Sequence, residues 1–276
     1  MIASIPWLIW VFYGIVSLFY FRDFLYKEAR DRKRAQQAIV ATLVAHAAFL
    51  IFQFINLKRI PVATVSEALG TFVWLTALIY WLLERGMFIK QIADRSMGTF
   101  ILPGLWILFT ISNVTYKINE PVADVLQDVR FEIHVLAMLL SYGAFAISFI
   151  ASLLYTFLAR EIKKRDLRLF YSRLPSLAFF DKISNAAVDI GLLFATLGSV
   201  LGFYSAFKVW DSFFLSDPKF LVTLLSWLIY CVHFTGRKLV GWSGQLVASI
   251  SLVGFSTILF SFVIISLLFT SLHRFI

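Results

Sequence analysis

The sequence predicts an all-α polytopic membrane protein, a bundle of about eight transmembrane helices with both termini extracytoplasmic. Three observations carry that prediction. Hydrophobic residues make up 60% of the chain and charged ones only 15%, a balance that would leave a soluble protein covered in apolar surface. The apolar residues gather in runs near the ~20 that a helix needs to cross a hydrocarbon core of ~30 Å. The basic residues gather on alternate sides of those runs, as the positive-inside rule requires.

Eight windows meet the length test: residues 2–21, 36–57, 64–83, 97–114, 134–158, 186–203, 220–235 and 245–272, with seven or nine as the neighbouring counts. The first has no positive segment before it and six basic residues after it, the reverse of a cleavable signal peptide, so it reads as a true span. The second carries a histidine about ten residues in, within VAHAAFLIF. Thr64 and Glu67 open the third in the T-x-x-E pattern of a capping box, which satisfies free backbone N–H groups at a helix start. The fourth, 97–114, is uninterrupted by charge, and the fifth follows an acidic loop containing Glu120, Asp124, Asp128 and Glu132. The sixth and seventh are short, because residues 203–219 mix aromatic and polar side chains in a way that suits an interface. Asp217 before Pro218 fits an N-cap for the seventh. The eighth runs almost to the C-terminus.

Eighteen of the 25 basic residues lie in the loops after spans one, three, five and seven, which places those loops in the cytoplasm and both termini outside. The net charge of +9 is concentrated in Arg22–Arg34 and Arg160–Lys182. Those runs contain no recognisable nucleic-acid-binding module, so they read as a stripe facing anionic lipid and not as a nucleic-acid surface. The lone Cys231 lies within a span and excludes an intrachain disulfide. Neither a nucleophile elbow nor a phosphate loop, zinc-protease helix or dinucleotide fingerprint occurs, so the chain reads as a non-enzyme. The 30 phenylalanines and 8 tryptophans suit interface belts and helix packing.

The four histidines are the chemically informative residues, because imidazole is a common metal ligand, is the usual protein ligand of haem iron, and is costly to keep in lipid. His134 opens the fifth span and His273 closes the eighth at the same membrane face. Two imidazoles so placed can take opposite sides of a flat macrocycle, or can rest among lipid headgroups. His46 lies within the membrane, a functional candidate by position or else a ring bonded to a neighbouring helix. His233, near the cytoplasmic end of the seventh span, can share its depth. Asp189 sits near the inner end of the sixth span, where a basic neighbour can pair with it.

The segment Val209–Arg237, the run IHVLAMLLSYGAF around His134 and IPVATVSEAL after the second span resemble the cytochrome c assembly family of haem-handling membrane proteins, the CcsA, CcmC and HemX group. The resemblance covers about residues 40–275 of a single transmembrane domain, 1–276. The run SYGAFAISFIASLLY, the basic segment after it and the modest length make it closest to the HemX type. It implies a non-covalent b-type haem held at the extracytoplasmic face between His134 and His273, and a second intramembrane site at His46. Trp210 matches a retained part of the family motif, and Lys219 and Arg274 are the cations for haem propionates, or else ordinary interface anchors.

Two departures accompany it. Members that hand haem to apocytochrome carry WGxxWxWDPK, whereas this chain has WDSFFLSDPK, keeping Trp210, Asp217, Pro218 and Lys219 but placing Phe214 and Ser216 where tryptophans stand. Phenylalanine keeps the packing face of an indole without its N–H donor, and serine keeps neither. Aligned without gaps, Thr235 occupies the place of the family's second intramembrane histidine. His233, two residues earlier, would then face the opposite side of the helix, at about 100° per residue, unless the winding changes locally. The HemX resemblance implies control of haem biosynthesis through glutamyl-tRNA reductase, a partner at the basic cytoplasmic loops of a bacterial cell-membrane protein. The alternatives are a haem carrier for cytochrome c synthesis and, more weakly, a two-haem transmembrane electron carrier.

Overall fold

The structure is a computed structural model that describes residues 4–87, 97–117, 122–165, 172–210 and 218–261. Those residues form eight α-helices: α1 (Ile5–Tyr26), α2 (Ala29–Leu57), α3 (Val65–Glu84), α4 (Gly98–Thr115), α5 (Val129–Lys164), α6 (Leu177–Trp210), α7 (Pro218–Thr235) and α8 (Gln245–Phe260). A 3₁₀ turn at Asp124–Gln127 precedes α5, and a π-helical turn at Gly236–Val240 extends α7. Seven helices are long and apolar enough to cross a membrane, and α8 is a shorter apolar helix within its described part. The chain is therefore a multi-pass membrane protein. Leu8, Val44, Ile55, Ile107, Val114 and Val200 are all exposed, the inverse of a soluble surface and what a lipid-facing wall requires.

Seven of the eight predicted windows fall on helices long and apolar enough to cross a membrane and the described part of α8 overlaps the eighth, while α1, α2, α5, α6 and α7 run longer than their windows. The sixth, expected at 186–203, is a helix of 34 residues, and α5 begins at Val129, five residues before His134. A helix need not end where the bilayer does. Its backbone bonds stay internal, and the polar residues of its ends simply meet headgroups and water, so a hydropathy window finds only the buried part. Asp128 supports the early start of α5, its carboxylate accepting from the Arg130 N–H at 2.7 Å.

The chain divides into two compact units, Met1–Val122 with Glu161–Ser176, and Ala123–Arg160 with Leu177–Ile276. In the first, α1 packs on α2 and α4, and α3 packs on α4 and α2. Ile9, Tyr13, Val16, Tyr20 and Phe24 form the buried stripe of α1 at helical spacing. Lipid provides no hydrophobic drive between helices, so close packing and interhelical hydrogen bonds hold them. Trp10 donates to the Thr110 hydroxyl at 2.7 Å, Trp74 to the Leu43 carbonyl at 3.0 Å, and Ser66 and Ser112 exchange bonds to each other's carbonyls at 2.8 and 2.7 Å. Tyr20 donates to the buried Glu84 carboxylate at 2.6 Å.

Thr64 and Glu67 form the expected capping box at the start of α3. Glu67 does more: Arg59 grips both of its carboxylate oxygens at 2.6 and 2.8 Å, and the Ala63 N–H donates to it at 3.0 Å. Glu67 is thus committed to structure. Breaking a buried ion pair from one side strands the other charge. Glu67→Ala is expected to destabilise the detergent-solubilised protein by about 3 kcal/mol. The double variant Arg59→Met, Glu67→Leu should lose less than either single change in thermal unfolding.

Candidate functional site: the histidines and the α5–α6 seam

Within the second unit α5 and α6 run antiparallel in a fixed register read from close contacts. A Cβ placed on Gly191 would come within 2.5 Å of Phe145, one on Gly198 within 2.8 Å of Met138, and one on Gly202 within 2.5 Å of His134. Where α6 lacks side chains, α5 inserts large ones. Further along the seam hydroxyls take over: Ser148 bonds Ser184 at 2.8 Å and Ser251 at 2.6 Å, and Ser152 bonds Ser184 at 3.1 Å, tying α5, α6 and α8 together. Phe145 stacks on Tyr230 of α7 with centroids 3.6 Å apart and planes parallel within 1°. Such interhelical hydroxyl bonds contribute about 0.6 kcal/mol each, so together they fix register more than they add stability.

His134 sits in the second turn of α5, facing the last turns of α6. Its Nδ1 lies 2.7 Å from the Gly198 carbonyl oxygen. A carbonyl only accepts, so Nδ1 carries the proton, and in the neutral ring the lone pair is on Nε2. Phe131 packs on the ring at 5.9 Å between centroids, and Arg130 lies over the Tyr204 ring at 5.8 Å, closing α5 against α6 at this end. Trp210 is the last residue of α6 and Lys219 the second of α7. Their side chains, together with His273 and Arg274, lie outside the described residues, as do Asp217 and the segment with Phe214 and Ser216.

His233 faces inward. Ser226, Tyr230 and His233 form the buried face of α7, with His233 at 0% exposure, while Thr235 is exposed. The π-helical turn begins only after Thr235, so the helix is regular through Ser226, Tyr230 and His233, and His233 and Thr235 face opposite sides as the ungapped alignment expects; the buried side is the one that carries position 233. Neither ring nitrogen of His233 has a hydrogen-bond partner. Nearby, Arg237 pairs with Asp189 of α6, with Lys238 at 3.7 Å, which is the basic neighbour expected for Asp189.

In the first unit His46 is likewise at 0% exposure, with its Nδ1 3.0 Å from the Tyr13 hydroxyl, its ring 4.8 Å from that of Phe109 and its Nε2 unpartnered. Among the described residues no three histidine, cysteine or carboxylate side chains gather as a metal cluster. Nitrogen donors presented singly suit an axial ligand to a metal that brings its own macrocycle. Buried ring nitrogens without partners, at His46 and His233, fit the same chemistry.

The profile of the cytochrome c assembly protein family matches residues 62–273. The chain belongs to that family. Its relatives include the cytochrome c biogenesis protein CcsA of Chlamydomonas reinhardtii, 25% identical over 219 residues, 78% of this chain and 60% of that protein. The CcsA of Prochlorococcus marinus (strain MIT 9303) is 24% identical over 271 residues, covering 87% and 85% of the two chains. Protein HemX of Bacillus subtilis (strain 168) is 25% identical over 238 residues, covering 86% and 85%. The family's match takes in α5 to α7, and with them His134, the three seam glycines and His233.

Sequence reasoning missed three features of this site. Gly198 and Gly202 form the small-xxx-small pattern of a close helix crossing, a signal present in GSVLG. The Tyr13 partner of His46 left no local signal, since 33 residues separate them. The inward face of His233 could have been read from its spacing to Tyr230 and Ser226. His233→Leu is expected to leave thermal stability within about 1 kcal/mol of wild type, because it removes unpaired polar atoms. His46→Leu strands the Tyr13 hydroxyl and should cost about 1–3 kcal/mol. A larger loss for His233→Leu than for His46→Leu would show that the His233 ring has a partner.

Proposed function

We propose that this chain is a haem-binding, non-enzymatic membrane protein of the HemX type that couples haem availability to haem biosynthesis through the level of glutamyl-tRNA reductase. The observation that carries the reading is His134, held by the Gly198 carbonyl as the tautomer whose Nε2 can ligate iron. Family membership and the HemX relative support it. By the positive-inside distribution both termini and the start of α5 face outward, and the basic loops face the cytoplasm of a bacterial cell.

His134 and His273 are the ligands assigned to a b-type haem at the outer face, with Trp210 beside it and Lys219 and Arg274 as cations for its propionates. When bound, that haem supplies an iron centre whose affinity and potential follow its axial ligands and their hydrogen bonds. His46 is the candidate for a second, intramembrane haem through its Nε2; the inward-facing His233 is a separate candidate ligand in its own unit. The chain's own part in signalling is to link the ligand end of α5 to the basic segment after it, since α5 runs unbroken from Val129 to Lys164.

Deleting the gene is expected to change reductase abundance severalfold between haem-replete and haem-starved cells, and His134→Ala should reproduce the deletion. Reductase levels that respond to haem as in wild type in both strains would defeat this reading.

The second reading, delivery of haem for cytochrome c synthesis, is favoured by the CcsA relatives and by the retained Trp210, Asp217, Pro218 and Lys219. The Chlamydomonas relative extends well beyond the matched portion, this chain spanning 60% of its length. Restoring tryptophan at Phe214 and Ser216 should then raise cytochrome c yield, while an unchanged yield in that variant and in the deletion would count against it.

A further inference from the structure

We propose that the Gly198–Gly202 pair of α6 is the positioning element for the His134 ligand, with Gly198 fixing its tautomer and Gly202 providing the space its ring occupies. The inference rests on His134 holding haem and names the residues that make it a competent ligand.

The two glycines act by different means. The Gly198 carbonyl accepts a hydrogen bond from the Nδ1–H, with 2.7 Å between the heavy atoms. A ligating histidine whose far nitrogen donates to a carbonyl is fixed in orientation, and its metal-binding nitrogen is made more basic. Reach to that carbonyl depends on close helix approach, which the missing side chain of Gly198 allows against Met138. Gly202 contributes space. A methyl there would lie 2.5 Å from Cε1 and 2.6 Å from Nδ1 of His134, inside the contact distance of both. The ring stands at the far end of a short side chain, so it would swing aside rather than force the helices apart. The fold survives that movement. The hydrogen bond and the aim of Nε2 do not.

Gly191 provides the comparison, because a methyl there meets Phe145 at 2.5 Å in the same seam without touching His134. Crowding at both sites is similar, but only one neighbour is a ligand.

The test uses the full chain in detergent, titrated with haem, comparing wild type with Gly202→Ala, Gly191→Ala and His134→Ala by spin state, affinity and midpoint potential. Gly202→Ala is expected to weaken haem binding about 10- to 100-fold, the usual cost of losing a ligand's supporting partner. It should also turn low-spin haem partly high-spin and raise the midpoint potential, while Gly191→Ala keeps wild-type haem properties with a lowered unfolding temperature. Wild-type affinity and spin state in Gly202→Ala would overturn the proposal. Equal loss in Gly202→Ala and Gly191→Ala would also overturn it, by showing general packing damage. Full haem retention in His134→Ala would instead remove the reading beneath it, an outcome distinct from either.

Discussion

Close approach of α5 and α6 is the constraint on which the second unit depends. Lipid gives two apolar helices no reason to prefer each other over acyl chains, so association comes from packing and from polar groups that find partners across the gap. Gly191, Gly198 and Gly202 remove side chains where Phe145, Met138 and His134 need room. Ser148, Ser152, Ser184 and Ser251 then lock the register. A helix that slid by one turn along this seam would lose the berths and the hydroxyl bonds together. The same approach brings a backbone carbonyl of α6, whose intrahelical duties leave it a second lone pair, within reach of the His134 ring.

The histidines differ in what the fold does for them. His134 is held by a carbonyl at one end of α5. His46 is held by a phenol inside the first unit, and His233 has no hydrogen-bond partner at all. Buried polar atoms without partners are unusual in native structures, because desolvation is not repaid. Other buried polar atoms also lack a hydrogen bond, among them Trp81 Nε1, Trp106 Nε1 and Ser141 Oγ, while Glu67 is satisfied by Arg59 and a cap. The bare nitrogens of His46 and His233 differ from these in that each ring offers a lone pair able to ligate a metal.

Much of the fold was legible, because a hydropathy pattern of apolar runs, a capping box at Thr64 and an Asp189 near basic residues are local or compositional signals. The lengths of α5 and α6 were not, since hydropathy stops where the bilayer stops while backbone hydrogen bonding continues. At the site, His134 was legible as a histidine at a span boundary near the SYG run. Its partner was written in GSVLG but needed the pairing of two helices to be read. His233 illustrates the hazard of carrying a motif by alignment alone: Thr235 took the expected position, yet the regular helix puts position 233 on the buried face with Tyr230 and Ser226 and leaves Thr235 exposed. His273, Arg274 and the side chains of Trp210 and Lys219 lie outside the described residues, so that half of the ligand set rests on the family's pattern alone.

The most direct test of the central claim, that the ring seated by Gly198 ligates haem, is the optical spectrum of the purified full chain, oxidised and reduced, beside His134→Ala. The account predicts stoichiometric, low-spin, six-coordinate haem in the wild type and its loss in the variant. A colourless protein that takes up no added haem, or a spectrum unchanged by His134→Ala, would contradict it.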